Sequence, residues 1–164
     1  MAHGKEPNEI RIAILTVSDT RTEDNDTAGA LIEHFAELAG LAVAGRGWVA
    51  DDTGKIRNVV TALLADPEID AVITTGGTGI AARDVTIEAI RPLLSKELDG
   101  FGELFRYLSF AEDVGTKAML SRAAAGTAQG KVVFILPGSR GAVRLAMESL
   151  IIPEIRHIVA ELRK

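Results

Sequence analysis

Between Ala71 and Ile90 the chain reads AVITTGGTGIAARDVTIEAI, so a short apolar run ends in Gly76, Gly77 and Gly79 and leads through an Arg-Asp pair into a helix start. Glycines at such a junction reach positive φ and let backbone N–H groups approach a ligand with no β-carbon in the way. The helix that follows adds the positive end of its dipole, and the combination suits an anion such as phosphate. The same residues also suit a purely structural turn, because neither the dinucleotide nor the P-loop spacing is present and the loop has no lysine.

Hydroxyl and carboxylate residues recur after three other apolar runs. Ser18 and Asp19 follow Val17, Asp51 and Asp52 follow Val49 by one residue, and Pro137, Gly138, Ser139 and Arg140 follow Leu136. Each group has a structural use as well: Ser18 and Asp19 in a turn, Asp51, Asp52 and Asp84 as helix caps. Carboxylates pointing at a bound phosphate would repel it unless a cation stood between them, and a magnesium ion resolves that conflict. Arg21, Arg83, Arg122 and Arg140 fall in or beside these loops, either holding a small anion or solvated on the surface.

Composition narrows the chemistry. The chain has no cysteine, which removes disulfides, thiolate nucleophiles and zinc-thiolate sites, and its three histidines, His3, His34 and His157, are too scattered for a metal cluster. Carboxylates, hydroxyls, backbone and a bound cation are what remain. A net charge of −5 argues against a nucleic-acid binder. No apolar run approaches the roughly 20 residues that span a bilayer, and the polar start MAHGKEPNE has no signal-like core, so a cytoplasmic protein without a membrane segment is expected.

The elements that must position these residues alternate between strand and helix patterns, which implies an α/β fold of three layers, α/β/α, around a mostly parallel sheet. Residues 1–8 are expected to be a flexible N-terminal segment and 9–164 a single domain. Strands are expected at Ile10 to Val17, Leu41 to Val49, Ala71 to Thr75 and Lys131 to Leu136. Between the first two lies a helix with the stripe Ala28, Leu31, Ile32, Phe35, Leu38 and Ala39, capped by Asn25 or Asp26 and ended by Gly40. A second helix carries Ile56, Val59, Val60, Leu63 and Leu64. The helix after the glycine turn ends or kinks around Pro92, and two closing helix patterns cover Ala142 to Leu150 and Ile152 to Leu162. Ligands of open α/β sheets gather beyond the carboxyl ends of the strands, where all four loops fall.

The string TTGGTG followed by RDVT resembles the molybdopterin-binding domain of the MoaB/Mog family, which acts in molybdenum cofactor biosynthesis. TVSDT (Thr16 to Thr20), VADD (Val49 to Asp52) and PGSR (Pro137 to Arg140) match it in the same chain order, and FGELFRYLSF and SRAAAG resemble the MoaB branch. The likeness extends from about Glu9 to Glu161. It implies a molybdopterin adenylyltransferase, a nucleotidyltransferase that moves AMP from ATP onto the phosphate of molybdopterin and requires two aspartates. The matching positions are Asp51 and Asp84, which would also hold Mg²⁺. Gly76, Gly77, Thr78 and Gly79 would then donate to phosphate oxygens, and Ser18, Asp19, Pro137, Gly138, Ser139 and Arg140 would line the pterin side. Two positions depart from the common pattern: Ile87 stands for proline, and Arg140-Gly141 for Pro-Lys.

The segment Phe101 to Phe110 is apolar on more than one side: Phe101, Leu104, Phe105 and Leu108 form one stripe while Tyr107 and Phe110 point elsewhere. A subunit interface through Phe105 is expected, and the resemblance implies a homotrimer or homohexamer, with a downstream molybdenum-insertion protein as the partner for the product. The competing expectation is an oligomeric molybdopterin-binding or carrier protein without turnover, which would not need both aspartates. A generic dinucleotide-binding oxidoreductase is disfavoured by the missing glycine spacing.

Overall fold

Side chains along β1 (Arg11–Val17) alternate between two cores, Ile12 and Ile14 facing one and Ala13, Leu15 and Val17 the other. That alternation makes β1 an inner strand covered on both faces. In the computed structural model, which describes residues 8–164, it lies in a six-stranded sheet of order β2-β1-β3-β6-β5-β4. The expected flexible segment over residues 1–8 lies, apart from Asn8, outside the described residues. β2 (Ala42–Val49), β3 (Ala71–Thr75) and β6 (Lys131–Leu136) run parallel with β1, whereas β5 (Ala124–Ala128) and β4 (Lys96–Glu97) add two antiparallel pairings at one edge. The result is the expected three-layer α/β/α architecture.

One face is covered by α1 (Thr27–Leu38), α4 (Asp99–Glu112), α5 (Arg140–Ala146) and α6 (Ile152–Leu162), and the other by α2 (Thr53–Ala65) and α3 (Thr86–Ile90). Asp26 caps α1 by accepting from the Gly29 N–H at 2.9 Å, and Gly40 follows it at φ +76°. The buried positions of α1 are Ala28, Gly29, Ile32 and Ala36. Leu38, expected on that stripe, is 72% exposed because the buried row runs through Ala28, Ile32 and Ala36, and Leu38 falls on the far side of the helix from Ala36. Pro92 sits in a single 3₁₀ turn, Arg91–Leu93, that ends α3.

The two closing helix patterns form one continuous run, with a π turn over Met147–Ile151 joining α5 to α6. Pro153 accounts for it. Its ring cannot sit against the carbonyl four residues earlier, and a widened turn ahead of it displaces that carbonyl while the helix continues.

The helix expected to meet a partner through Phe105 is α4, and here the expectation fails. Phe105 is only 1% exposed within its own chain, stacked on Phe101 at 6.3 Å, and Phe101 in turn lies 5.3 Å from Phe134 of β6. Leu104, Tyr107 and Phe110 are the exposed apolar residues of the helix. Phe105→Ala should therefore lower the stability of the isolated chain by about 3–5 kcal/mol in urea unfolding, while Leu104→Ala costs under about 0.5 kcal/mol. Equal losses from the two variants would contradict this packing.

Candidate functional site

The order of the strands decides where a ligand can enter. The chain passes from β1 to β2 on one side and then returns to place β3 on the other side of β1, so the loops after β1 and β3 diverge. Ser18 and Asp19 begin the first of these loops and Gly76 and Gly77 the second. The loop after β2 is held alongside: the Ser18 N–H donates to the Val49 carbonyl at 2.9 Å, and the Asp51 N–H donates to Asp19 Oδ1 at 2.9 Å. Asp19 therefore fixes the backbone of Asp51.

The glycine turn has the backbone its sequence calls for. Gly76 and Gly77 adopt φ +101° and +73°, and Gly76 donates to the Leu136 carbonyl at 2.9 Å. A β-carbon at Gly76 would collide with the carbonyl oxygen of Val17, and one at Gly77 with the Thr86 hydroxyl. That hydroxyl donates to the Gly76 carbonyl at 2.9 Å, while the Thr86 N–H donates to the Gly77 carbonyl at 3.1 Å. Thr75 Oγ1 donates to the Pro137 carbonyl at 2.8 Å, joining the turn to the loop after β6.

Two cavities open on this turn, with Val17 and Ser18 as their shared wall. One, of about 170 Å³, is lined by Val17, Ser18, Asp19, Thr20, Asp51, Gly77, Arg83 and Asp84. The other, of about 130 Å³, runs from Thr16 and Ser18 past Asp26 and Thr75 to Gly76 and Gly138. Neither alone reaches the roughly 300 Å³ of a small-molecule pocket, so a larger ligand would span both. A larger cavity, about 420 Å³, lies instead beneath α4 and shares no lining residue with these two. The crevice is the better site for a phosphate that arrives with a cation, because it combines left-handed glycines with the carboxylates of Asp19, Asp51 and Asp84.

Asp51, Asp52 and Asp84 separate by role. Asp52 is the cap of α2, accepting from the Lys55 N–H at 2.8 Å. Asp51 has no such bond and turns toward the turn, its Oδ1 being 3.4 Å from where a Gly77 β-carbon would stand. Burial pushes the Asp51 carboxyl above its ordinary pKa, and the charges of Asp19 and Asp84 push it further, against the lowering influence of a backbone hydrogen bond from Asp19 and the charge of Arg83. Asp84 does not cap α3, whose first residue is preceded by Val85. It closes a small loop, Oδ2 accepting from the Ala81 N–H at 3.0 Å and its own N–H donating to the Ala81 carbonyl at 2.9 Å.

Other expected residues are less available. Thr78 is 4% exposed and lines neither crevice cavity. Ser18 Oγ accepts from the backbone N–H groups of Thr20 and Arg21, both at 3.2 Å, and Ser139 caps α5 through the Ala142 N–H at 3.2 Å. Ser139 and exposed Arg140 line neither crevice cavity, whereas Gly138 lines the second. The Pro137 carbonyl is taken by Thr75.

Thr16 and Asp26 are lining residues that pattern reading passed over. The Asp26 carboxylate, 2% exposed, accepts from the Thr16 hydroxyl at 2.6 Å, Trp48 Nε1 at 3.0 Å and Arg46 at 3.1 Å. Burial raises its pKa, but the hydrogen bonds from Thr16, Gly29, Arg46 and Trp48 outweigh burial and hold it below the ordinary value. The signal was an arginine two residues before the only tryptophan in a strand: Ile14 and Thr16 pair in register with Arg46 and Trp48.

Residues 13–157 match the family model described as a probable molybdopterin binding domain. The chain belongs to this family. It is 53% identical over 158 residues, covering 96% of this chain and 93% of the relative, to molybdenum cofactor biosynthesis protein B of Bacillus subtilis (strain 168). A crystal structure of a molybdenum cofactor biosynthesis protein B superposes with a TM-score of 0.93 at 52% identity, covering 97% of this chain and 99% of that one. The tungsten cofactor synthesizing protein MoaB from Pyrococcus furiosus superposes with a TM-score of 0.84 at 40% identity, over 97% of this chain and 100% of that one. Within the molybdopterin-binding family, the turn and the aspartates of this crevice occupy the stretches on which the sequence resemblance rested.

Opposite pH signatures follow for the two perturbed carboxyls that line the crevice, Asp51 and Asp26. The folded-state pKa of Asp51 is raised, so its contribution to stability is present below the unfolded pKa and lost as pH rises through the folded one. Asp51→Asn should melt above the parent at about pH 7, with the gain closing toward about pH 3. Asp26 is lowered, so its contribution is present above the unfolded pKa and lost as pH falls through the folded one. Asp26→Asn should melt below the parent at neutral pH, with the gap narrowing in acid. Thermal melts across pH check both; the same sign for the two variants would contradict the assignment.

Proposed function

We propose that the crevice binds molybdopterin and Mg-ATP and transfers AMP to the molybdopterin phosphate, in the cytoplasm, as a step of molybdenum cofactor biosynthesis. An oxygen of that phosphate attacks the α-phosphorus of ATP and forms a phosphoanhydride, while the α–β bridging bond breaks and pyrophosphate leaves with its electron pair. The observation that carries the reading is Asp51: a carboxylate raised in pKa by burial and by Asp19 and Asp84, set against the open backbone of Gly77.

That acidic crowding fits a divalent cation brought in with the nucleotide. Among the described residues no group of three or more His, Cys, Asp or Glu side chains could hold a metal by itself. Mg²⁺ is normally held by one or two carboxylates together with phosphates and water, which suits Asp51 and Asp84. When bound, the ion neutralises phosphate charge and aligns the reacting groups. The chain's own part is positioning. Gly77 and Gly79 offer N–H groups to phosphate oxygens, Arg83 supplies positive charge beside the aspartates, and the cavity from Thr16 to Gly138 accommodates the pterin side.

Self-association is proposed on a different surface from the one first expected. Leu104, Tyr107 and Phe110 of α4 and Met119 and Leu120 beyond it are each at least half exposed, and such a set is more apolar than a solvated helix face requires. A homotrimer or homohexamer covering this surface is the proposed assembly.

The deciding assay is an incubation of the protein with molybdopterin and Mg-ATP, read as adenylylated molybdopterin. Asp51→Asn and Asp84→Asn should each lower turnover by on the order of a hundredfold while folding normally, since the amide keeps size and loses charge. Binding of molybdopterin without any AMP transfer by the parent would instead make it a carrier. In light scattering, Leu104→Asp with Phe110→Asp should shift the parent assembly toward monomer; a monomeric parent at micromolar concentration would refute the interface.

A further inference from the structure

Arg122 is one of the arginines expected to hold a ligand, and its donors are directed elsewhere. It lies between the 3₁₀ turn Gly115–Leu120 and β5, and its N–H donates to the Thr78 carbonyl at 3.3 Å. From there the side chain reaches back over the glycine turn. Nε donates to the Gly79 carbonyl at 3.0 Å, one terminal nitrogen to the Asp84 carbonyl at 3.1 Å, and the other to Glu88 Oε2 at 2.8 Å.

We infer that Arg122 is the positioning residue of this site: its guanidinium fork clamps both ends of the 79–84 loop and so sets the carboxyl of Asp84 against the glycine turn. Gly79 and Asp84 are the first and last residues of that loop, and one planar group satisfies both carbonyls. Within the curve so formed, the Asp84 carboxylate accepts from Ala81, and its Oδ2 lies 2.7 Å from where a β-carbon of Gly79 would stand. Any opening of the loop therefore moves Asp84. A fork of fixed donors is what the task requires, and lysine, with one compact ammonium, cannot span the two carbonyls and Glu88 together.

Exposure separates this role from simple stabilisation. The side chains of Arg122 and Glu88 are 35% and 47% exposed, and ion pairs so open to water contribute little to global stability. The two carbonyl bonds act on one loop of the crevice. Their catalytic consequence rests on the adenylyl-transfer reading, whereas their effect on the loop rests on geometry alone.

Two variants of the full-length chain test the inference. Arg122→Lys keeps a cation for Glu88 and loses the fork; Glu88→Gln keeps an acceptor for Arg122 and leaves the fork in place. Amide hydrogen exchange at Ala81 and Asp84 should quicken about tenfold in Arg122→Lys and stay parental in Glu88→Gln, with both melting within a few degrees of the parent. In the adenylyl-transfer assay, kcat should fall on the order of tenfold to a hundredfold in Arg122→Lys with the KM for ATP nearly unchanged, and remain parental in Glu88→Gln. Parental exchange in Arg122→Lys overturns the inference. So does a Glu88→Gln variant that loses as much, which would make the ion pair the cause, or an Arg122→Lys variant that does not fold. A parent without AMP transfer would refute the proposed function only, and the exchange comparison would then decide the role of Arg122.

Discussion

The carbonyl oxygen of Val17 lies so close to Gly76 that no side chain can stand between them, and the crevice depends on that contact. It brings the ends of β1 and β3 together backbone to backbone at the point where the strand order reverses. Gly77 follows in the left-handed region, with its carbonyl taken by Thr86. From there the neighbouring loops are fixed in turn: Asp19 holds the backbone of Asp51, Thr75 holds Pro137, and Arg122 holds Gly79 and Asp84. A residue with a β-carbon at Gly76 would push apart the two loops on which these others rest.

Electrostatics give the crevice its character, and burial decides what each aspartate does. Asp26 is the most enclosed, yet its four donors outweigh the cost of burial and keep it charged. Asp52 is exposed and spends one oxygen on a helix cap. Asp51 is partly buried and faces two other acids, and the backbone hydrogen bond from Asp19 and the charge of Arg83 do not offset them, so its pKa stays raised. A cation shared with a phosphate would supply what Asp51 lacks, and a fold at such a cost suits a binding site better than a structural turn.

Much of this was legible in the residues themselves. AVITT and KVVFIL are largely apolar because their strands are covered on both faces, and GG after AVITT announced positive φ. The two antiparallel strands were not legible: AAGTA has a single β-branched residue, Thr127, and no aromatic one, and Lys96–Glu97 is too short to show a period. Spacing alone did not tell the adjacent aspartates at 51 and 52 apart, and only the family resemblance singled out Asp51; that Asp52 is the one that caps α2 is a matter of one position along the turn. Phe105 misled in the other direction. Its stripe was visible, but whether an apolar face meets its own sheet or another subunit depends on the distance to Phe134, and that is a tertiary fact. The role of Arg122 joins residues 38 to 43 positions apart and has no local signature.

The most direct measurement is a crystal structure of the protein with Mg-ATP. The nucleotide phosphates should lie on the N–H groups of Gly77 and Gly79, with the cation between them and the carboxylates of Asp51 and Asp84. A nucleotide seated in the 420 Å³ cavity beneath α4, beside Arg91 and Arg106, would contradict the account.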